Sequence, residues 1–297
     1  MTDHESKPFG DSPGVQLTTD RGLKAVRVAT ESASALVYLQ GAHIAAFEPK
    51  GQSPVIFMSE KAVYAPGKAL RGGVPICFPW FGAHAEHESY PAHGFARTRE
   101  FEYRGARLDA ARRTELEFML ESDAQSLQFF PYAFSARLRV AFGSTLELEF
   151  SVTNRDAQVF TFEEALHSYF VVADVMRASV RGLQGANYTD KVRGMARFTE
   201  SAPELAFSAE TDRVYESAAT TTISDPAGNR SIRIEKSNSA ATVVWNPWAE
   251  RAAQMSDLGA EAWPHMLCVE SANVGKSAIA LSAGESHVLR ASVSIAG

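Results

Sequence analysis

The chain has very little cysteine and no long apolar run. Cys77 and Cys268 are its two cysteines, and their separation is unlike a disulfide framework and suits a reducing compartment, so we expect two buried thiols. No apolar run approaches the thickness of a bilayer, and the N-terminal segment lacks the positively charged start and apolar core of a secretory signal. The sequence therefore predicts a soluble, cytoplasmic protein without membrane contact.

An excess of basic residues is also missing. The formal net charge is −6, which argues against a nucleic-acid partner or an anionic membrane surface, because either would favour a basic stripe. We therefore expect any anionic ligand to be held by local arginines.

Several well-known motifs are absent. The chain has no GxxxxGK loop, no GxGxxG at a strand-to-helix junction and no GxSxG elbow, so nucleotide and serine-hydrolase chemistry lack their usual support. The histidines of the segment from His84 to His93 do not have metalloprotease spacing, and no CxxC pair is present for structural zinc. We predict neither a metal site nor a cofactor.

Alternation of apolar and polar residues dominates what is present. Leu146, Leu148 and Phe150 alternate with Glu147 and Glu149, and a period of two indicates strands with one buried face. Similar segments continue through the chain, while helical patterns are restricted to short pieces near Asp123 and after Pro247. The sequence predicts an all-β fold, a large antiparallel two-sheet β-sandwich. We assign residues 15–297 to one domain and residues 1–14 to a flexible arm.

The segment from Leu70 to Arg97, LRGGVPICFPWFGAHAEHESYPAHGFAR, combines features of a ligand pocket. A guanidinium beside uncrowded glycine backbone, as at Arg71, suits a phosphate or carboxylate. The aromatic residues Phe78, Trp80 and Phe81 could provide a flat face for a sugar ring. The alternative is a tight turn in which Arg71 caps carbonyls and the aromatic rings belong to the core.

Two ionisable residues occur where a strand should be apolar. In TFEEALHSYFVV, alternation places His167 on the same face as Glu163 and Tyr169. In HMLCVESANV, Glu270 ends an apolar run, and burying a carboxylate without partners is costly. A catalytic pair is one explanation. The other is a core histidine bonded to a backbone carbonyl and a structural glutamate bonded to loop amides.

Taken in order, the segments LRGGVPICFPWFG, HGFAR, EEALHSYF, ETDRVY, VVWNPW and MLCVESANV resemble those of the hexose-6-phosphate mutarotases, the glucose-6-phosphate 1-epimerase branch of the aldose 1-epimerase superfamily. The resemblance extends from about Gly41 to the C-terminus. It implies the galactose mutarotase type of β-sandwich and the interconversion of the α and β anomers of a hexose 6-phosphate.

The resemblance also implies residue roles. His167 would be the general acid and Glu270 the general base, while Arg71 and Arg97 would bind the substrate and recognise its phosphate. Asp212 of ETDRVY would contact the sugar, with Asp190 of NYTDK as the competing choice.

We also assign His93 to substrate binding, and we expect the protein to act as a monomer. The chain departs from the fungal pattern at Ala92, where a substrate-binding glutamine is expected, so one contact to a ring hydroxyl is in question.

The chemistry needs no metal or redox cofactor. A carboxylate removes the proton from the C1 hydroxyl while an imidazolium protonates the ring oxygen, and the reverse transfers close the ring on its other face. We expect His167 to be protonated and Glu270 ionised, with Glu163 favouring the charged imidazole. Two other classes stay open: a sugar-phosphate sensor without catalysis, and a glycoside hydrolase with a second carboxylate.

Overall fold

A computed structural model describes residues 9–296 of the chain. In its first half the strands are β1 (Val15–Asp20), β2 (Leu23–Ala29), β3 (Ala33–Tyr38), β4 (His43–Pro49), β5 (Ile76–Cys77), β6 (Glu102–Leu108), β7 (Thr114–Glu121), β8 (Phe134–Phe142), β9 (Leu146–Asn154), β10 (Phe160–Phe162), β11 (Glu164–Leu166) and β12 (Tyr169–Val171). In its second half they are β13 (Ser179–Arg181), β14 (Asn187–Asp190), β15 (Ala196–Thr199), β16 (Glu204–Ala206), β17 (Thr211–Tyr215), β18 (Thr221–Asp225), β19 (Arg230–Ser237), β20 (Ala241–Asn246), β21 (Met266–Asn273), β22 (Ile279–Leu281) and β23 (Ser286–Ala296).

Helices are few and short. The α-helix α1 spans Trp248–Ala253, directly after Pro247, which lies at its N-cap. Short 3-10 helices cover Ala96–Thr98, Ser126–Gln128, Trp263–His265 and Gly275–Ser277. Within residues 9–296, no helix has the length and apolarity needed to cross a membrane.

The strands form two large antiparallel sheets. One sheet has nine strands in the order β16-β13-β18-β19-β23-β9-β8-β7-β6, and the other has eight, in the order β15-β14-β17-β20-β21-β11-β5 with β12 also paired to β21. A four-stranded sheet, β1-β2-β3-β4, and the pair β10-β22 complete the fold. The prediction of an all-β, two-sheet β-sandwich is confirmed, and the four-stranded sheet is an addition to it.

Alternation along β8 and β9 explains how the nine-stranded sheet packs. Leu148 and Phe150 are buried in the main hydrophobic cluster, whereas Glu149 on the opposite face accepts a hydrogen bond from Arg290 at 3.0 Å. Opposite charges on neighbouring strands stabilise the exposed face modestly. The buried face supplies the hydrophobic contact that holds this sheet against the rest of the molecule.

The main hydrophobic cluster draws on every part of the fold, from Val26 in β2 to Val293 in β23. This continuity supports our proposal of one domain from residue 15 onward. Of the predicted arm, residues 1–8 lie outside the described residues, and Gly10 exchanges two backbone hydrogen bonds with Ala106 in β6. Both cysteines are free and buried, as expected.

Candidate active site

A cavity of about 680 Å³ opens at the eight-stranded sheet, and we call it the central pocket. All six site residues predicted from the sequence line it. Its charged and histidine side chains are Arg71, His93, Arg97, His167, Lys191, Glu210, Asp212, Glu250, Arg251 and Glu270.

The break between β11 and β12 places His167 in the pocket. Both short strands pair with β21, so Leu166 lies opposite Ser271 and Tyr169 lies opposite Cys268. Between them, the backbone N–H of His167 donates to the carbonyl of Pro75 at 3.0 Å, on the side of β5. The single strand suggested by TFEEALHSYFVV is therefore divided into short pieces, and the irregularity falls at the histidine.

His167 and Glu270 meet at the bottom of the pocket. Nδ1 of His167 lies 3.4 Å from Oε1 of Glu270, and the side chains are 9% and 1% exposed. Nδ1 of the histidine and Oε2 of the glutamate have no hydrogen-bond partner among the described residues. Because buried polar atoms are normally satisfied, an imidazole and a carboxylate left unpartnered this close together indicate a functional pair. The alternative of a glutamate held by loop amides does not fit Glu270.

Burial moves the two pKa values in opposite directions. The pKa of Glu270 is raised well above its usual value, first by burial and further by Asp212, while Lys191 and Arg97 oppose the shift. The pKa of His167 is lowered, first by burial and then by its neighbours His93, Arg97 and Arg71. With the protein's own groups alone, both side chains therefore favour their neutral forms, rather than the expected ion pair.

Glu163 does not provide the help expected of it. Its carboxylate accepts hydrogen bonds from the backbone N–H of Phe81 at 2.8 Å and of Gly275 at 2.5 Å. It is a structural carboxylate satisfied by loop amides, which is the arrangement considered for Glu270. Strand alternation placed Glu163 beside His167, but the end of β10 at Phe162 breaks that alternation.

Aromatic rings fix the orientation of the His167 imidazole. It stacks on Tyr169 with centroids 4.9 Å apart and meets Trp245 edge-on at 6.1 Å. The His93 ring lies 5.5 Å away. Packing on several sides leaves the imidazole few alternative rotamers, which is the property that a positioned acid or base needs.

Arg71 is linked to this cluster through Tyr169. Its Nη1 donates to the Tyr169 hydroxyl at 3.1 Å and its Nε donates to Asp257 at 3.1 Å. Burial disfavours its charge, but the pull of Tyr169 and Asp257 outweighs burial and raises its pKa. Arg71 therefore does not cap backbone carbonyls, as the tight-turn alternative required. Its partners are the Asp257 carboxylate and the Tyr169 hydroxyl. Sequence reasoning missed Asp257, because nothing in the sequence links it to Arg71.

Arg97 and His93 also line the pocket. Nη2 of Arg97 donates to the carbonyl of Ala92 at 2.7 Å, and its buried Nε has no hydrogen-bond partner within residues 9–296. Nδ1 of His93 accepts from the N–H of Gly82 at 3.3 Å. Burial, followed by the charges of Arg97 and Lys191, lowers the pKa of His93 to about 3. The neutral ring therefore presents its Nε2–H as a donor.

Ala92 lines the pocket without a polar side-chain group. The backbone carbonyl at this position is bonded to Arg97. The fungal pattern has a side-chain amide at this position. Here the polar group of residue 92 near the pocket is its backbone oxygen, which is already bonded to Arg97.

The structure separates the two candidate aspartates. Asp212 in β17 lines the central pocket and lies 3.3 Å from Nζ of Lys191. Asp190 instead lies 3.4 Å from Nε of Arg213 and 3.8 Å from Nε of Arg193. Sequence reasoning missed Lys191, and the sequence signal for it is only its position directly after Asp190 in NYTDK.

The aromatic residues near Arg71 divide between core and pocket. Phe78 is fully buried and contacts five phenylalanine rings, whose centroids lie 5.1 to 6.2 Å away. Trp80 packs on His84 and Tyr90. Phe81 lines the central pocket, where Nζ of Lys191 lies 4.7 Å from its ring centroid. Of the three, Phe81 is the one that fits the predicted sugar-facing role.

The histidines of the loop before His93 contact aromatic neighbours. His84 and His87 pack on each other and on Tyr90. Within residues 9–296, no group of three or more histidine, cysteine or acidic side chains is placed to hold a metal ion.

The fold is that of sugar epimerases. The family model described as aldose 1-epimerase matches residues 24–294, and the chain belongs to this family. A protein of Cenchrus ciliaris named "Putative glucose-6-phosphate 1-epimerase" is 34% identical over 285 residues, which are 92% of this chain and 85% of the relative. An Escherichia coli protein of the same name is 33% identical over 235 residues, 79% of this chain and 78% of the relative.

A solved structure agrees with this membership. The crystal structure described as "a putative mutarotase (YeaD) from Salmonella typhimurium" superposes with a TM-score of 0.89 at 29% identity, covering 97% of this chain and 96% of that one. The resemblance inferred from the sequence motifs is therefore confirmed at the level of family and fold.

Proposed function

We propose that this protein interconverts the α and β anomers of a hexose 6-phosphate, with glucose 6-phosphate as the first substrate to test. The observation that carries the proposal is the His167–Glu270 pair, whose unpartnered Nδ1 and Oε2 lie in one buried pocket. Binding alone does not require an imidazole beside a carboxylate, whereas ring opening requires an acid and a base. The names of the relatives support the same activity.

The reaction needs two proton transfers in each direction. Glu270 accepts the proton of the C1 hydroxyl while His167 donates a proton to the ring oxygen, so the bond from C1 to the ring oxygen breaks and a C1 aldehyde forms. After rotation about C1–C2, His167 takes its proton back as the oxygen attacks C1, and Glu270 returns its proton to O1. Each positioned group typically contributes about 10² to 10⁴ in rate.

The starting protonation state depends on the substrate. The positive charges near His167 disfavour an imidazolium. A phosphate dianion bound by the arginines neutralises part of that charge and favours the charged imidazole. Substrate binding therefore moves the proton of the pair toward His167, which is the form that ring opening uses.

The phosphate fits beside Arg71. In a hexose 6-phosphate, C6 is attached next to the ring oxygen, so the phosphate lies on the same side as the general acid. Arg71 is joined to His167 through Tyr169, on which the imidazole stacks. A guanidinium suits the bidentate geometry of a phosphate. Arg97 is proposed to bind the phosphate together with Arg71, and His93 and Asp212 to hold sugar hydroxyls.

Exchange spectroscopy on an equilibrated mixture of glucose 6-phosphate anomers tests the function. We expect the purified protein to accelerate exchange between the two C1 proton signals, and His167→Asn to abolish the acceleration. Line broadening without faster exchange would instead identify a sugar-phosphate sensor. Release of free sugar from a glycoside would identify a hydrolase. Comparing glucose, galactose and mannose 6-phosphates with the free sugars then defines the substrate.

The cellular setting is also a proposal. The free, buried thiols of Cys77 and Cys268 suit a reducing cytoplasm, and we propose that the protein acts there as a monomer. Light scattering of the purified protein and fractionation of cells would test the two parts separately.

A further inference from the structure

Lys191 is held against Asp212 by two contacts. It follows the last residue of β14, and its backbone N–H donates to the carbonyl of Asp212 at 2.9 Å. Its Nζ lies 3.3 Å from Oδ1 of Asp212 and 4.7 Å from the centroid of the Phe81 ring. The end of the β14–β17 ladder thus aims an ammonium into the central pocket.

Two carboxylates share this part of the pocket. Asp212 and Glu270 both line it, and the pKa of each is raised by burial. Neighbouring carboxylates raise both pKa values further, because Asp212 acts on Glu270 and Asp190 acts on Asp212. Like charges in one buried pocket ionise together only when a cation lies among them.

Arg71 and Arg97, the arginines assigned to the phosphate, have partners other than Asp212 and Glu270. Arg71 is bonded to Asp257 and Tyr169, and Arg97 is bonded to the carbonyl of Ala92. Lys191 has one carboxylate partner at 3.3 Å. Among the positively charged residues that lower the pKa of Glu270, Lys191 has the largest effect. Its compact ammonium is therefore the counter-ion best placed for both acids.

We propose that Lys191 is a positioning residue that favours the ionised forms of Asp212 and Glu270 against the effect of their burial. Asp212 can then accept hydrogen bonds from sugar hydroxyls while Glu270 accepts the proton of O1. The inference rests on the proposed function, and it adds a residue whose effect passes through the two acids. The ionisable groups that act on or lie beside Glu270 are His167, Lys191, Asp212, Arg97, Cys77 and, on its own strand, Cys268.

The pH profile of kcat/KM tests the proposal. We expect the acidic limb, where Glu270 becomes protonated, to move upward by about one pH unit or more in Lys191→Met and Lys191→Gln, because an opposite charge close to a carboxylate lowers its pKa by this amount. Lys191→Arg should restore the limb. The control is Lys276→Met, since Lys276 is an exposed lysine paired with Glu216 at 2.6 Å. An acidic limb that stays in place in both neutral variants would overturn the inference.

A second measurement does not depend on catalysis. Carbon-13 titration of labelled glutamate carboxyl groups, with the Glu270 signal assigned through Glu270→Gln, reports the ionisation of Glu270 directly. We expect its midpoint to rise in Lys191→Gln and to stay unchanged in Lys276→Met. If the wild-type protein exchanges no anomers but the midpoint still rises, the proposed function fails and the role of Lys191 stands. An unchanged midpoint overturns that role whatever the activity.

Discussion

Nδ1 of His167 lies 3.4 Å from Oε1 of Glu270, although the two residues belong to distant parts of the chain. β21 joins them, because it pairs with β11 and β12 on either side of the histidine. A residue at the break between two short strands and a buried residue within a third strand therefore form one acid–base pair.

Removing either member of the pair should suppress turnover. We expect His167→Asn and Glu270→Gln each to lower kcat for anomer exchange by about 10² to 10⁴ while KM changes little, because each variant removes a proton carrier but keeps the shape of the side chain. The double variant should be little worse than the poorer single one, since the two groups act as a unit. Exchange spectroscopy measures all three, and full turnover in either single variant would exclude the pair.

Replacing Arg71 should weaken binding of the phosphorylated sugar more than binding of the free sugar. We expect Arg71→Ala to raise KM for glucose 6-phosphate by about one to two decades, because a charge-assisted hydrogen bond contributes roughly 1.5 to 3 kcal/mol. KM for free glucose should change much less. Asp257→Asn is the matched control, since it removes the partner of Arg71 but keeps the guanidinium. Equal losses on both sugars would contradict phosphate recognition by Arg71.

A second histidine–glutamate pair should make stability depend on pH. Nε2 of His287 lies 2.9 Å from Oε1 of Glu164, which is completely buried. Burial opposes the charged imidazole, but the hydrogen bond and the charge of Glu164 prevail and raise the pKa of His287. The pair then contributes its full stabilisation to the folded state at pH values below the histidine pKa of the unfolded chain, about 6.5. It is lost as pH rises from there through the folded value.

Denaturant unfolding at a series of pH values measures this effect. We expect the difference in unfolding free energy between wild type and His287→Gln to shrink as pH rises above about 6.5. His87→Gln, at an exposed position, is the control. A difference that grows with pH would show that His287 is neutral in the folded protein.

Replacing two neighbouring phenylalanines should affect different properties, namely stability for Phe78 and substrate binding for Phe81. Phe78→Ala should lower the free energy of unfolding by about 3–5 kcal/mol, because it leaves a cavity among five packed rings. Phe81→Ala should affect stability much less, since Phe81 is partly exposed in the central pocket, and should raise KM for the sugar. Thermal unfolding and kinetics of both variants compare them directly. A large stability loss at Phe81 with unchanged KM would assign it to the core.

The alternation of apolar and polar residues is a local pattern, and it predicted the strands and the scarcity of helices. The arginine, glycine and aromatic residues around Arg71 are also a local pattern, and they predicted a ligand-binding segment. Alternation failed at Glu163, because the end of β10 interrupts the strand that it assumed. The contacts of Arg71 with Asp257, and of Lys191 with Asp212, were not predictable in this way. Each joins residues that no sequence spacing relates.

The sequence alone therefore determined the fold class and the residue types of the pocket, because side-chain periodicity and composition act within a few residues of each strand. Only the tertiary structure decided that His167 faces Glu270, that Asp212 rather than Asp190 enters the pocket and that Lys191 accompanies it. The physical reason is that strand pairing brings distant segments into register, and burial in that register sets the charge of each side chain.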